Sequence, residues 1–531
     1  MALIGKFLPA AGALLVAGTL GAQATPAKPT CDADASKGNL ARAAFTVEQA
    51  RTAQGTPGAQ TIMANAVKQL EAAKGEDATV QALFLGQTLA FWLAQPNMSP
   101  TPTRGTLGFT QNPGASIDLV ATVDSLFKVV ETAKPGCVEL TNAYRGGLPG
   151  YLTLVNGAIN ALNADKLDSA EYYATRANQL YAASPYGSMV LGSVAAKRKD
   201  ETKAMEYWQA AATAAARDTI YRDVERSVLG NQATALLGMA NRASGADRES
   251  AARRAIAMYN RLLAVPGTTG SAAASSRASL QSAYLLVGDT AAFVTSYQPM
   301  IGNPADYGYQ DLLGSAVNAA RANRSADAAK LFEATLVQNP WNRDALYNLA
   351  VVYLTLDHND KVGPVVSRLV AVDPGNPENY NLAARAYLAL AKTAEKAKRT
   401  AVAKAYNDTT MTWYSQGNKL PAEIVFTEFT AGEKALTVAG TVLDRRDKME
   451  GANAASTAAR PAARGARAAT PAKPSISPAA VTIRIEALDK AGAVLGSQTV
   501  TTEPLTPGKS ASFTATIDAP NAVAYRYKVG N

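Results

Sequence analysis

The sequence predicts a mainly α-helical chain, an α-solenoid of stacked helical hairpins, followed by a small antiparallel all-β sandwich. Three observations carry this expectation. Residues 336–356 (LVQNPWNRDALYNLAVVYLTL) and 369–390 (LVAVDPGNPENYNLAARAYLAL) restate one pattern, with Pro340 and Pro374 34 positions apart. Within 345–356 the apolar residues Leu346, Leu349, Ala350, Tyr353 and Leu354 recur at spacings of three and four, which makes one continuous helical face. Beyond Pro421 that period gives way to the alternation of strands.

The first 24 residues read as a secretory signal peptide. Lys6 gives a minimal positive start, Phe7 to Gly21 form a short apolar run, and Ala22-Gln23-Ala24 offers small residues for cleavage after Ala24. Cys31 follows Lys28-Pro29-Thr30, which is no lipoprotein box. The mature chain is therefore expected to be exported, periplasmic or extracellular. No later segment has the length of a membrane span: VQALFLGQTLAFWLAQ at 80–95 is interrupted by Gln81, Gln87 and Thr88 and falls short of the roughly 20 residues a bilayer requires.

After a segment at 25–36, residues 37–150 are expected to form an irregular helical region, with amphipathic helices at 37–54, 58–74, 76–94 and 115–133. The loop at 95–114 is long enough to be functional or to act as an ordered lid. Cys31 and Cys137 are the two cysteines of the chain. In an oxidising compartment they are expected to pair, two unrelated buried thiols being the alternative.

From 151 to 416 the hairpins repeat. In register, Leu312, Leu346 and Tyr380 coincide, as do Ala316, Ala350 and Ala384, and Ala319, Tyr353 and Tyr387. Upstream, Ala170 and Ala204 keep the same interval in second helices, followed four residues later by Ala174 and Trp208, with Gly192 at a small-residue position. The pairs at 219–266 and 274–308 are stretched, and the unit opening at Pro377 has its second helix delayed by KTAEKAKRTAVAKAYNDTT. A 34-residue unit with large, small, large positions on its first helix and a terminal proline resembles the tetratricopeptide repeat. That resemblance implies antiparallel helix pairs stacked in a superhelix, whose first helices line a concave groove. By resemblance the groove would present Tyr186, Met189, Leu313, Tyr347, Asn381 and Arg385, a mixture suited to an extended peptide or a partner helix. Val317 and Val351 stand where a carboxylate-clamping member of the family would need polar residues.

The region 421–531 contains six alternating segments, at 423–430, 435–444, 481–488, 494–502, 510–518 and 523–529, which imply a small β-sandwich. It resembles the FxLYD-type domain of exported bacterial proteins in its strand VAGTV, in Asp489 and Gly492, and in the turn Leu505-Thr506-Pro507-Gly508. Ile485 and Leu488 replace the aromatic and tyrosine of the namesake motif. An Ala/Pro-rich insertion at 447–474 follows the second strand. The stretch from Arg445 to Lys473 carries an excess of five positive charges out of the +9 of the whole chain. It reads as a flexible loop that also suits peripheral contact with anionic surfaces.

Chemistry is sparse. His358 is the only histidine, which removes multi-histidine metal sites and leaves a Ser-His-Asp or Cys-His mechanism a single candidate base in the turn LDHND. Gly508-Lys509-Ser510 imitates the end of a phosphate loop, but Glu503 stands where the leading glycine belongs, and a strand follows where a helix is needed. No carboxylate pair stands out for glycoside cleavage. No catalytic, cofactor-binding or metal-binding residue and no nucleic-acid partner is therefore expected. The reading is an exported scaffold for a protein or peptide partner in the cell envelope, with envelope-polymer binding through the β-sandwich and its basic loop as the alternative.

Overall fold

The structure is a computed structural model. It describes residues 31–530 apart from 34, 36, 37, 96, 97, 148 and 449–475. The expected signal peptide and nearly all of the basic insertion lie outside the described residues. The chain divides into two compact units, Met1–Val224 and Glu225–Asn531.

The first unit is helical: α1 (Gly38–Thr52), α2 (Ala59–Ala72), α3 (Ala78–Leu93), α4 (Leu119–Ala133), α5 (Val138–Gly146), α6 (Pro149–Asn163), α7 (Leu167–Leu180), α8 (Tyr186–Lys197) and α9 (Glu201–Ala215). Short polar residues start these helices. Asp77 accepts hydrogen bonds from the Thr79 and Val80 amides, Asp118 from Ala121 and Asp200 from Lys203, each satisfying orphan donors of a first turn. Glu76 caps α1 from a distance, accepting from the amides of Asn39 and Leu40 at 3.1 and 3.2 Å. Met63, Leu83, Phe91, Leu107 and Phe127 are fully enclosed in the core. The Cys31–Cys137 disulfide is formed and spans 106 positions, a closure that the chain-entropy argument values at about 4 to 5 kcal/mol. Gly192 on α8 shows why that repeat position is small: a β-carbon there would come within 2.3 Å of the Trp208 ring on α9.

The described part of the long loop is tied to α2. Its Thr110 amide and hydroxyl donate to Glu71 at 2.6 and 2.5 Å, Arg104 pairs with Glu71 at 3.2 Å, and the Arg104 guanidinium lies 4.0 Å from the centre of the Phe109 ring.

The second unit begins within α10 (Arg222–Arg242). It continues through α11 (Gly245–Ala264), α12 (Gly270–Leu286), α13 (Thr290–Gly302), α14 (Tyr309–Arg321), α15 (Ser325–Gln338), α16 (Arg343–Thr355), α17 (Asn359–Val372), α18 (Pro377–Lys396) and α19 (Thr400–Asn418). α15 and α17 each end two residues before Pro340 and Pro374, as a residue preceding proline disfavours the helix. Ala316, Ala350 and Ala384 are 0, 0 and 7% exposed, so the small positions face the packing seam.

The delayed last hairpin has a simple geometry. The turn between paired helices carries a left-handed residue, Asn323 and Asp357 at φ 57° and 58°, 34 positions apart. The next such residue is Lys398 at φ 57°, seven later than the repeat requires. Seven residues are nearly two helical turns, so α18 keeps its packing phase and extends about 10 Å further before reversing.

Six strands follow: β1 (Ala422–Ala431), β2 (Ala435–Asp444), β3 (Thr482–Leu488), β4 (Val494–Thr501), β5 (Ser510–Asp518) and β6 (Ala524–Gly530). They form two antiparallel sheets, β1-β2-β5 and β4-β3-β6, and the six segments expected from the sequence are these six strands. Leu436, Val438 and Val442 of one sheet and Ile483, Ile485 and Tyr527 of the other share the buried core. Gly440 in VAGTV is needed because a β-carbon there would meet the Val425 carbonyl at 2.4 Å and the Phe513 ring at 2.9 Å. Gly508, Lys509 and Ser510 form a turn entering β5.

Candidate functional site

The first helices of the repeats, α14, α16 and α18, place residues of equal repeat position side by side. Leu313, Tyr347 and Asn381 occupy one register; Val317, Val351 and Arg385 occupy another, four residues on. The alanine and large positions of these helices are buried, whereas Leu313, Val317, Tyr347, Val351 and Asn381 are half-buried and Arg385 is exposed. Helical geometry explains the split, since Leu312, Ala316 and Ala319 fall on one stripe by spacings of four and three, while Leu313 and Val317 fall on the stripe beside it.

Around Tyr347 the face becomes polar. Asn381 donates to the Glu378 carboxylate at 3.2 Å, and Arg385 pairs with the same group. Partial burial, with Glu378 nearby, raises the Tyr347 phenol above its ordinary value, and Arg385 partly offsets this. Tyr347, Asn381 and Arg385 are thus drawn together, whereas Leu313 keeps its register against the apolar core. Tyr186 and Met189 belong to the first unit, on α8. Tyr186 meets the Tyr221 ring edge-on at 5.7 Å, and Met189 packs beside Val190 and Leu191. The sequence reading missed Glu378, whose signal was its place directly after the helix-opening Pro377.

A second constellation ties the β-sandwich to the repeats, and sequence reasoning did not find it. The inter-repeat turns supply Asn339 and Asp373, 34 positions apart and 0 and 3% exposed. Asn339 donates to the Val523 carbonyl at 3.0 Å, and the Tyr527 hydroxyl donates to Asp373 at 2.5 Å while accepting from the Gly375 amide at 2.9 Å. Ile424 at the outer edge of β1 donates its amide to the Gly375 carbonyl at 3.0 Å. Arg343 at the start of α16 lies over the Phe426 and Tyr525 rings at 5.6 and 6.0 Å. Burial, then the Asp373 carboxylate, push the Tyr527 phenol well above its ordinary value. The buried hydrogen bonds of Asn339, Asp373, Gly375 and Tyr527 fix geometry.

His358 is exposed at the start of α17, with its ring 6.1 Å from that of Tyr353. Among the described residues no group of three His, Cys, Asp or Glu side chains is placed to hold a metal ion. Among them, too, no helix is long and apolar enough to cross a membrane.

The family model for the tetratricopeptide repeat matches residues 319–386. None of the curated proteins matches the chain. Solved structures that are similar include a tetratricopeptide repeat protein from Parabacteroides merdae, at 15% identity and TM-score 0.31, covering 49% of this chain and 98% of that one. The apo form of RapI is similar at 10% identity and TM-score 0.30, covering 71% and 97%. An assembly chaperone of RpL4 is similar at 14% identity and TM-score 0.26, covering 47% and 99%. With the 34-residue register, the buried small positions and the family match in agreement, the array around residues 319–386 belongs to the tetratricopeptide repeats.

Proposed function

We propose that the protein is an exported, non-catalytic scaffold that holds a protein or peptide partner of the cell envelope on the shared face of α14, α16 and α18. The observation that carries this reading is the division of each first helix into a buried seam and an open row. Leu313, Val317, Tyr347 and Val351 lie along the open row, which ends at the polar cluster of Glu378, Asn381 and Arg385. A face that runs from apolar to charged suits a peptide or helix with apolar anchors and a polar end. Export is supported by the Cys31–Cys137 bridge, a feature of oxidising compartments. Tyr186 and Met189 are proposed as further contacts in the first unit. The β-sandwich, which the sequence likens to the FxLYD type, serves here as a rigid end-piece.

Replacing Tyr347 by Ala together with Arg385 by Glu tests the reading. The double variant should fold as the parent does and lose a defined cross-linked partner from an envelope extract by about tenfold, the scale of one or two interface anchors. Undiminished capture of that partner would contradict the assignment.

A further inference from the structure

The two sheets of the β-sandwich turn unlike outer faces to solvent. In β4-β3-β6 the residues Ile483, Ile485 and Tyr527 point inward and are 0, 0 and 1% exposed. Strand alternation therefore sends Thr482, Arg484 and Glu486 of β3 outward, with Ser497, Thr499 and Thr501 of β4 and Arg526 and Lys528 of β6. Register sets them in rows: Thr499, Arg484 and Lys528 stand side by side, next to Ser497, Glu486 and Arg526. In a third row the Thr482 and Thr501 hydroxyls are 3.2 Å apart. By contrast, the outer row of β5 is Ser510, Ser512, Thr514 and Thr516 and ends at Asp518, without a cation.

The β4-β3-β6 face carries three cations and one carboxylate, which pairs with two of them. Glu486 is only 7% exposed because Arg526 lies against it at 2.7 Å and Arg484 at 3.5 Å. Lys528 is exposed, stands directly opposite Arg484, and makes no ion pair among the described residues. Like charges directly opposite each other across strands destabilise a sheet, and Glu486, already shared by two arginines, leaves Lys528 uncompensated. The strands carry no aromatic side chain on this face, which leaves no platform for stacked bases, and the patch is too polar to insert among acyl chains.

We propose that this sheet face binds a polyanionic polysaccharide. Its acidic groups bridge Arg484 and Lys528, and its hydroxyls bond to Thr499, Thr501 and Thr482. The cations are folded β-sheet residues, and none of them belongs to the basic insertion.

The test is binding of fluorescently labelled alginate to the full chain at low salt. An Arg484→Gln, Lys528→Gln variant is compared with an Arg253→Gln, Arg254→Gln control on α11, which loses the same charge. The expected result is a roughly tenfold weaker affinity and a shallower salt dependence for the sheet variant alone. Equal weakening in both variants, or none in the sheet variant, overturns the proposal. So does tighter binding of an oligothymidylate or of phosphatidylglycerol vesicles that depends on the same pair. Thermal unfolding gives an independent reading: Lys528→Gln should unfold at a higher temperature than the parent without ligand, and a lower one removes the electrostatic premise.

Discussion

Tyr527 joins parts of the chain far apart in sequence, through a hydroxyl that donates to Asp373 and accepts from Gly375. Its phenol is raised in the fold, so neutral Tyr527 contributes stability that is fully present below the unfolded value of about 10 and is lost as pH rises from there toward the folded value. Thermal unfolding of the parent should therefore weaken above about pH 10, and Tyr527→Phe should flatten that part of the profile while lowering stability at neutral pH. An unchanged alkaline limb in the variant would show that this hydroxyl does not hold the junction. At Gly192, where the Trp208 ring occupies the space of a side chain, replacement by Ala should cost about 1 to 3 kcal/mol by overpacking, measurable by urea unfolding. Both effects come from atoms within bonding distance. Only the second was legible in the sequence, because Gly192 stands at the small-residue position of the repeat, whereas no local pattern couples residue 373 to residue 527.

Elements were read in proportion to how local their causes are. The helix ends before Pro340 and Pro374, the buried alanines and the six strands follow from periodicity and turn chemistry, and the structure places them where the sequence put them. The hairpin at Pro377 was read only as a delay. Its extra turns are helical because the residues up to Lys396 continue a helical composition, and an added length of nearly two turns leaves the packing stripe in phase. The described part of the loop at 95–114 is anchored by Glu71. Burial alone would raise that carboxyl, but the hydrogen bonds from Thr110 and Gln111 and the charge of Arg104 outweigh it and hold it below its usual value. Its contribution is complete above the unfolded carboxylate range and is lost as pH falls through the lowered folded value. Limited proteolysis near Arg104 should rise below about pH 4, and Glu71→Gln should show the same cutting at pH 7 without global unfolding. Resistance of the variant at pH 7 would mean that other contacts hold the loop.

At the scale of the whole molecule, the repeats and the β-sandwich were legible as separate entities and their union was not. The junction depends on Asn339 and Asp373, turn residues that repeat with the array but are buried only because the sandwich covers them. The candidate face was legible in outline from the register of Leu313, Tyr347 and Asn381, and its polar end became visible through Glu378, which gathers Asn381 and Arg385. A rigid second unit in which one row of first helices stays open to solvent is the claim on which the functional account rests. Site-specific photo-cross-linking in cells tests it most directly, with a photoreactive residue at Val351 on the open row or at Val337 on α15, which is 82% exposed but on a second helix. The account predicts a discrete cross-linked partner from Val351 and none from Val337. A partner captured equally from both positions, or from Val337 alone, would contradict it.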